Sequence, residues 1–308
     1  MVDSYKQIPL SIPLFNEKYI NRKEAITMAV FEFSFFSSSM HRNTEVTACI
    51  PAGGPMFPGT PPAPKTPLRL LILLHGYSGS HADWVRGSSI DQLATMHHMA
   101  VFCPSGENSF YIDDPSRDAM YEQFICRELP KFAREVFHIS DKVEDTFIGG
   151  LSMGGYGAIR NGLKNPDVFG GILVFSSALI TDGISKMPDE PQPAPAGQPR
   201  GGGMGMSIEY FIHTFGKPSK ILGSDVDPKA LAKKLMESDG PRPRMYMACG
   251  SEDFLIEPNR DLHKYFEEVG YPHYYVEGHG THSWEYWNKH ITDSLNWIDG
   301  KLEEAKEN

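Results

Sequence analysis

The sequence predicts an α/β fold, a mostly parallel central sheet with helices on both faces. Three observations carry that reading. Strand-like apolar runs alternate with segments of helical period along most of the chain. The run Leu68–His75 is apolar in the manner of a strand covered on both faces. No internal repeat suggests a solenoid or propeller.

The elements follow in order. Val30–Ser37 and Thr44–Ile50 read as an N-terminal hairpin, and Leu68–His75 as the next strand. A helix is expected near Ser88–His98, then a short strand Met99–Pro104. Arg117–Phe137 reads as helix, with apolar Met120, Phe124, Ile125 and Leu129 on one side. Strand Thr146–Gly150, helix Met153–Asn165 and strand Gly170–Ser176 come next. Strand Arg244–Gly250, helix Pro258–Val269, strand Pro272–Glu277 and a terminal helix His282–Glu304 complete the pattern. Ligands of such sheets bind beyond the carboxyl ends of the strands, so the loops there are the place to search.

Two segments interrupt the alternation. Residues 51–67 hold seven Pro and three Gly, and residues 187–206 five of each, so neither can run as a helix or central strand. The second lies in an insertion spanning 178–240, whose Ser207–Phe215 piece is expected to be helical and to cap the sheet edge. Residues 1–27 do not fit the plan. Lys23-Glu24-Ala25 can be encoded by a purine-rich stretch resembling a ribosome-binding site shortly before Met28. The domain is therefore expected to cover 28–308, with 1–27 either a translated leader or a flexible extension.

Composition excludes several functions. The 308 residues carry 29 Lys+Arg against 39 Asp+Glu, a net charge of −10. No basic stripe is present for nucleic acid, and anionic lipid would repel the chain. The longest apolar stretch, Leu70–Leu74, is far short of a membrane span. With no signal-peptide pattern, and with Cys49, Cys103, Cys126 and Cys249 widely separated, reduced thiols and a cytoplasmic location are expected.

Chemistry concentrates in Gly150-Leu151-Ser152-Met153-Gly154, a G-x-S-x-G sequence between a predicted strand and a predicted helix. A turn that sharp excludes side chains at its flanks. It lifts the Ser152 hydroxyl above the sheet and points a helix N-terminus at any oxyanion formed there. Serine needs a base, and the base an orienting carboxylate. In the order nucleophile, acid, histidine, the choices are Asp253 and His282, each just beyond a strand. Glu252 and Asp225 are rivals to the acid. His279 is rival to the base, or half of an H-x-x-H pair; no third ligand at sensible spacing supports a metal, and it reads as a loop residue. After the strand Leu68–His75, Tyr77 N–H is the expected second oxyanion donor beside Met153 N–H, and His75 reads as a packed histidine. Trp84, Tyr111 and Trp284 are candidates to line a substrate pocket, whereas Trp287 and Trp297 read as core.

Together these motifs resemble the esterase D-like esterase family of α/β-hydrolases. The likeness is carried by His75-Gly76-Tyr77-Ser78-Gly79, Asp83-Trp84, Gly150 to Gly157, Cys249 to Leu255 and His282 to Trp287, with Tyr121-Glu122 and Glu128-Leu129-Pro130 before the serine strand. It extends from Met28 to about Leu302, and tributyrin esterases are most similar. Feruloyl and acetyl-xylan esterases of carbohydrate esterase family 1 also belong there. The resemblance implies a serine carboxylesterase with Ser152, Asp253 and His282 as triad, and Tyr77 with Met153 as oxyanion hole. It implies short-chain acyl or hydroxycinnamoyl esters as substrates and no cofactor. S-formylglutathione hydrolases of the family carry a cysteine in the loop after the first parallel strand; here that loop is Tyr77-Ser78-Gly79-Ser80-His81. A thioesterase or acyltransferase on the same triad is the alternative, and a non-catalytic binding module the remote one. The expected partner is a small-molecule ester, with a homo-oligomer left open.

Overall fold

The computed structural model describes residues 27–52, 65–191 and 206–302. Those residues hold an eight-stranded sheet in the order β1-β2-β4-β3-β5-β6-β7-β8. The strands are β1 (Met28–Ser37), β2 (Arg42–Pro51), β3 (Arg69–Leu74), β4 (Met99–Pro104), β5 (Thr146–Leu151), β6 (Gly171–Phe175), β7 (Arg244–Gly250) and β8 (His273–Gly278). β1 and β2 form an antiparallel hairpin and β2 meets β4 antiparallel; every later pair is parallel. The α/β class read from the sequence is thus the observed one.

Alternation along the central strands sends side chains to two separate cores. Leu70, Ile72 and Leu74 of β3 join one apolar cluster, and Leu71 and Leu73 the other. Ile172 and Val174 of β6 divide from Leu173 and Phe175 in the same way. Both faces are covered, which is why these strands read as unbroken apolar runs. On one face lie α5 (Met153–Lys164), α8 (Pro228–Met236) and α9 (Ile256–Val269), which add Ile159, Leu163, Leu231, Leu235, Leu262 and Phe266. On the other lie α1 (Asp83–Gly87), α2 (Ile90–Met96) and α10 (Trp284–Ile298), which add Trp84, Ile90, Leu93, Ile291 and Leu295.

Two helix expectations change. The stretch Arg117–Phe137 is not one helix. Pro115–Arg117 is a 3₁₀ turn and Asp118 takes a left-handed conformation with φ 50°. Asp113 then accepts the N–H of Glu122 at 2.6 Å, so the chain enters α3 (Tyr121–Gln123) only there. A π turn over Phe124–Glu128 leads into α4 (Leu129–Val136). It carries Glu128, whose carboxylate takes the N–H groups of Ser38 and Ser39 at the hairpin turn. The terminal helix starts at Trp284 because Ser283 is extended, and it ends at Ile298, short of the expected Glu304. There Asp299 is drawn to Arg69 at 2.7 Å and His97 at 2.9 Å, and Gly300 turns left-handed. Residues 303–308 lie outside the described residues.

The insertion contributes α6 (Thr181–Ile184), α7 (Ile208–Phe215) and α8. The Ser207 hydroxyl caps α7 by accepting the Tyr210 N–H. Phe211 and Phe215 are buried, and Phe215 meets Phe110 and Tyr156 edge to face at 4.8 and 5.6 Å. The leader expectation for 1–27 falls outside the described residues except at Thr27, as does that for most of the Pro/Gly runs, at 53–64 and 192–205. All four cysteines are buried free thiols.

His290 yields a pH prediction. It is 2% exposed on α10, within 3.1 Å of the Tyr246 hydroxyl. Burial, with Lys289 adding repulsion, lowers its pKa from 6.5 to about 4. Below pH 6.5 the unfolded chain therefore takes up a proton that the folded chain refuses. The stability present above pH 6.5 falls as pH drops toward 4, by at most about 1.4 kcal/mol per pH unit. Urea unfolding at pH 7, 6 and 5 should show a slope about one proton flatter in His290→Gln than in the parent.

Candidate active site

The site grows from the turn between β5 and α5. Ser152 has φ 54° and ψ −118°, a conformation that few non-glycine residues adopt. Its N–H donates to Phe175 O at 3.0 Å, which ties the turn to the end of β6. The strain is held by close backbone packing. A Cβ on Gly150 would lie 2.5 Å from Gly154 O. A Cβ on Gly154 would run into Leu74 O and lie 2.6 Å from His75 O. Only glycine lets α5 begin so close to the end of β3.

β7 and β8 deliver the other two groups. Asp253 is 2% exposed in the loop after β7. His282, in the loop after β8, is 2.9 Å from its Oδ2 and 3.2 Å from its Oδ1 through Nδ1. Burial works to raise the Asp253 pKa; hydrogen bonds from His282, the Ser176 hydroxyl and the Leu255 N–H outweigh it and hold the carboxyl below its ordinary range. An ionised Asp253 fixes the Nδ1–H tautomer of neutral His282 and leaves Nε2 as the basic nitrogen. Trp287 packs edge-on to the His282 ring at 4.8 Å and donates Nε1–H to Ser176 Oγ at 3.0 Å. Ser176 directly follows Phe175, the partner of the Ser152 N–H, so the Ser152 turn and the Asp253–His282 pair share one support. Among the described residues, no hydrogen bond within 3.5 Å joins Ser152 to His282, a looseness common in unliganded sites.

The loop after β3 closes the other side. A Cβ on Gly76 would stand 3.5 Å from Ser152 Cβ, so the Gly76–Tyr77 backbone passes close over the Ser152 turn. The N–H groups of Tyr77 and Met153 have no hydrogen-bond partner among the described residues. His75 is 1% exposed; its Nε2 accepts from Gly106 N–H at 2.9 Å and its Nδ1 faces Gly76 O at 2.7 Å. Both nitrogens are occupied and burial lowers its pKa, so it is a neutral strut for the loop.

The rivals are placed elsewhere. Glu252 accepts from Gly280 N–H at 2.6 Å and meets His279 at 2.9 Å, contacts that together with Ser251 hold its carboxyl at about 2. The His279 side chain is 99% exposed. Asp225 is engaged by Lys164 at 2.6 Å and Arg160 at 3.3 Å, toward the C-terminal end of α5. Cys249 is neutral, because burial and the nearby Asp253 push its thiol up to about 12.

The aromatic pocket expectation needs correction at two positions. Trp84 and Tyr111 are fully buried. Trp84 Nε1–H donates to Leu74 O at 2.9 Å, and Tyr111 O–H to His75 O at 3.1 Å. Their polar atoms anchor the strand-end backbone, so neither presents a surface to substrate. Trp284 is half-buried, wedged edge-on against Trp84 and Trp287, both at 5.3 Å. Sequence reasoning missed Ser176 and read Trp287 as core alone. The available signal was position, since Phe175-Ser176-Ser177 follows a strand at the same sheet edge. A cavity of about 490 Å³ opens between α6, α8 and α9, lined by Leu179, Ile180, Asp182, Lys229 and Leu262 among others. Ser152, Asp253 and His282 are not in its wall, so it is separate from the site they form.

A family model described as "Putative esterase" matches residues 37–298. The acetyl esterase of Caldicellulosiruptor saccharolyticus is 41% identical over 271 residues, covering 88% of this chain and 98% of that protein. Among solved structures, the chain is similar to FphF, a fluorophosphonate-binding serine hydrolase of Staphylococcus aureus, at 26% identity and TM-score 0.72. It is similar to the S-formylglutathione hydrolase FrmB of the same organism at 27% identity and TM-score 0.71. Each alignment covers 88% of this chain and 98% of the other.

The packing at Gly154 makes a direct prediction. Gly154→Ala should destabilise the protein by about 1–3 kcal/mol and remove most turnover, because α5 must retreat from Leu74 and His75. Urea midpoints and initial rates measure the two effects.

Proposed function

This chain belongs to the "Putative esterase" family, and from that premise we propose that it is a serine carboxylesterase acting through an acyl-enzyme. The observation that carries the reading is the Asp253–His282 pair at the same sheet edge as a strained Ser152, beside two N–H groups that are unpartnered among the described residues. His282 Nε2 takes the Ser152 proton as Oγ attacks the ester carbonyl. Asp253 holds the ring and stabilises the imidazolium. The carbonyl oxygen, now an anion, turns to Tyr77 and Met153 N–H, at the positive end of α5. The alcohol leaves with the proton from His282. Water then enters, gives its proton to His282 and releases the acid, restoring Ser152. The fluorophosphonate-binding serine hydrolase among the structural relatives supports a serine nucleophile.

Short acyl esters are the favoured substrates. The acetyl esterase relative supports this, and the burial of Trp84 and Tyr111 removes two of the rings that favoured a hydroxycinnamoyl group. The likeness to FrmB supports a second reading, a thioesterase on the same triad. Long-chain lipid is disfavoured: α7 has eight residues and turns Phe211 and Phe215 inward, leaving little apolar surface to dock at an oil–water interface.

Ser152→Ala and His282→Ala should each lower p-nitrophenyl acetate turnover by several orders of magnitude, to a residue roughly 10³-fold above water. His279→Ala should keep most activity. Normal turnover without Ser152, or loss on removing His279 alone, would refute the assignment.

A chain-length series separates substrates. Rates should peak at acetate to butyrate and fall by octanoate, with methyl ferulate and S-formylglutathione assayed beside them. A rise through palmitate with a jump above the solubility limit would identify a lipase.

A further inference from the structure

The loop over the nucleophile is held from outside the proposed triad. Ser78, with φ 62°, donates its N–H to Asn108 Oδ1 at 2.7 Å, and Gly79 N–H returns to Gly76 O at 3.0 Å. The peptides on both sides of Tyr77 are therefore tied, and the direction of the Tyr77 N–H is set by those ties. Asn108 lies in the loop after β4, where Glu107, Phe110 and Tyr111 all have positive φ, between 47° and 57°. Such strain persists only where surroundings enforce it. Gly106 N–H on His75 Nε2 and Tyr111 O–H on His75 O enforce it from within. The insertion enforces it from above: Tyr210 of α7 donates its hydroxyl to Asn108 O at 2.6 Å and packs edge-on to Tyr77 at 5.9 Å. His213 to Asp114 at 2.7 Å fastens the next turn of the same helix.

We propose that Asn108 is a positioning residue for the oxyanion site, and that Tyr210 couples the insertion helix to it. The inference rests on the proposed role of Tyr77 N–H. Asn108 does not touch the reacting atoms. It orients a donor that stabilises charge appearing only in the transition state, so its removal acts on kcat and leaves ester binding unchanged. Tyr210 makes the insertion part of that support.

The test is a set of steady-state measurements on p-nitrophenyl acetate, with a boronic acid as transition-state mimic. Asn108→Ala should lower kcat roughly tenfold with KM within about twofold, and raise the boronate inhibition constant in parallel. Asn108→Asp keeps an acceptor at the same place, and water screens its charge at this exposed position, so it should restore kcat to within about threefold. Tyr210→Phe keeps the ring and drops the bond to Asn108; roughly a threefold loss in kcat is expected. Unchanged kcat in Asn108→Ala, a loss confined to KM, or an Asp variant as slow as the Ala variant would overturn the inference. Ser152→Ala run alongside separates the two readings. If it is inactive while Asn108→Ala is normal, only the positioning role fails; if it is active, the esterase mechanism fails with it.

Discussion

The closeness with which α5 approaches the ends of β3 and β5 governs everything at this sheet edge. The approach is closer than any side chain permits at Gly150 and Gly154. It forces Ser152 out of ordinary backbone conformations and aims the first N–H groups of α5 past the serine hydroxyl. The cost is a few kcal/mol of strain, offset by burial of nearly the whole of α5 between the sheet and the insertion. A helix less completely buried could relax away and flatten the turn.

Charge anchors the C-terminal half of α5. Arg160 is 2% exposed and meets Glu122 at 2.9 Å, while Lys164 bridges Glu122 and Asp225, at 2.9 and 2.6 Å. This four-residue cluster joins α5 to α3 and to the insertion. Buried ion pairs add little net stability over apolar contacts, but breaking one strands a charge and is costly. The buried pair here is Arg160–Glu122, between α5 and α3, and the more exposed Asp225 extends the cluster to the insertion. The Tyr156 hydroxyl, bonded to Val226 O at 2.6 Å, adds a link to the insertion from the helix turn nearest Ser152.

Much of this could be read from the chain because it depends on local rules. β4 and β7 have the predicted bounds, and the other central elements differ by one or two residues, since apolar runs and G-x-S-x-G leave few alternatives. Asp253 and His282 were legible as loop residues beyond strands, in the chain order in which the α/β-hydrolase fold places them. What was not legible depends on contacts distant in sequence. The π turn before α4 reflects Glu128 reaching Ser38 and Ser39, 90 and 89 residues away. Trp84 and Tyr111 looked like pocket walls because they sit in strand-end loops, yet the Trp84 indole N–H and the Tyr111 hydroxyl donate to the Leu74 and His75 carbonyls. Periodicity reports which face is apolar, not which backbone oxygen a ring atom will find.

The division explains why the chemistry was more accessible than the substrate. The proposed reacting groups follow β5, β7 and β8, strands of one parallel run whose spacing follows from sheet geometry. On the proposed reading, substrate choice falls to the loops and the insertion, where α7 meets Tyr77 through the Tyr210 ring and reaches the loop after β4 through the Tyr210 hydroxyl, His213 and Phe215. Such contacts can change singly without disturbing the sheet. On that reading, an α/β frame of this kind can keep one mechanism while its insertion selects different esters, because the residues assigned to the two jobs lie on different elements.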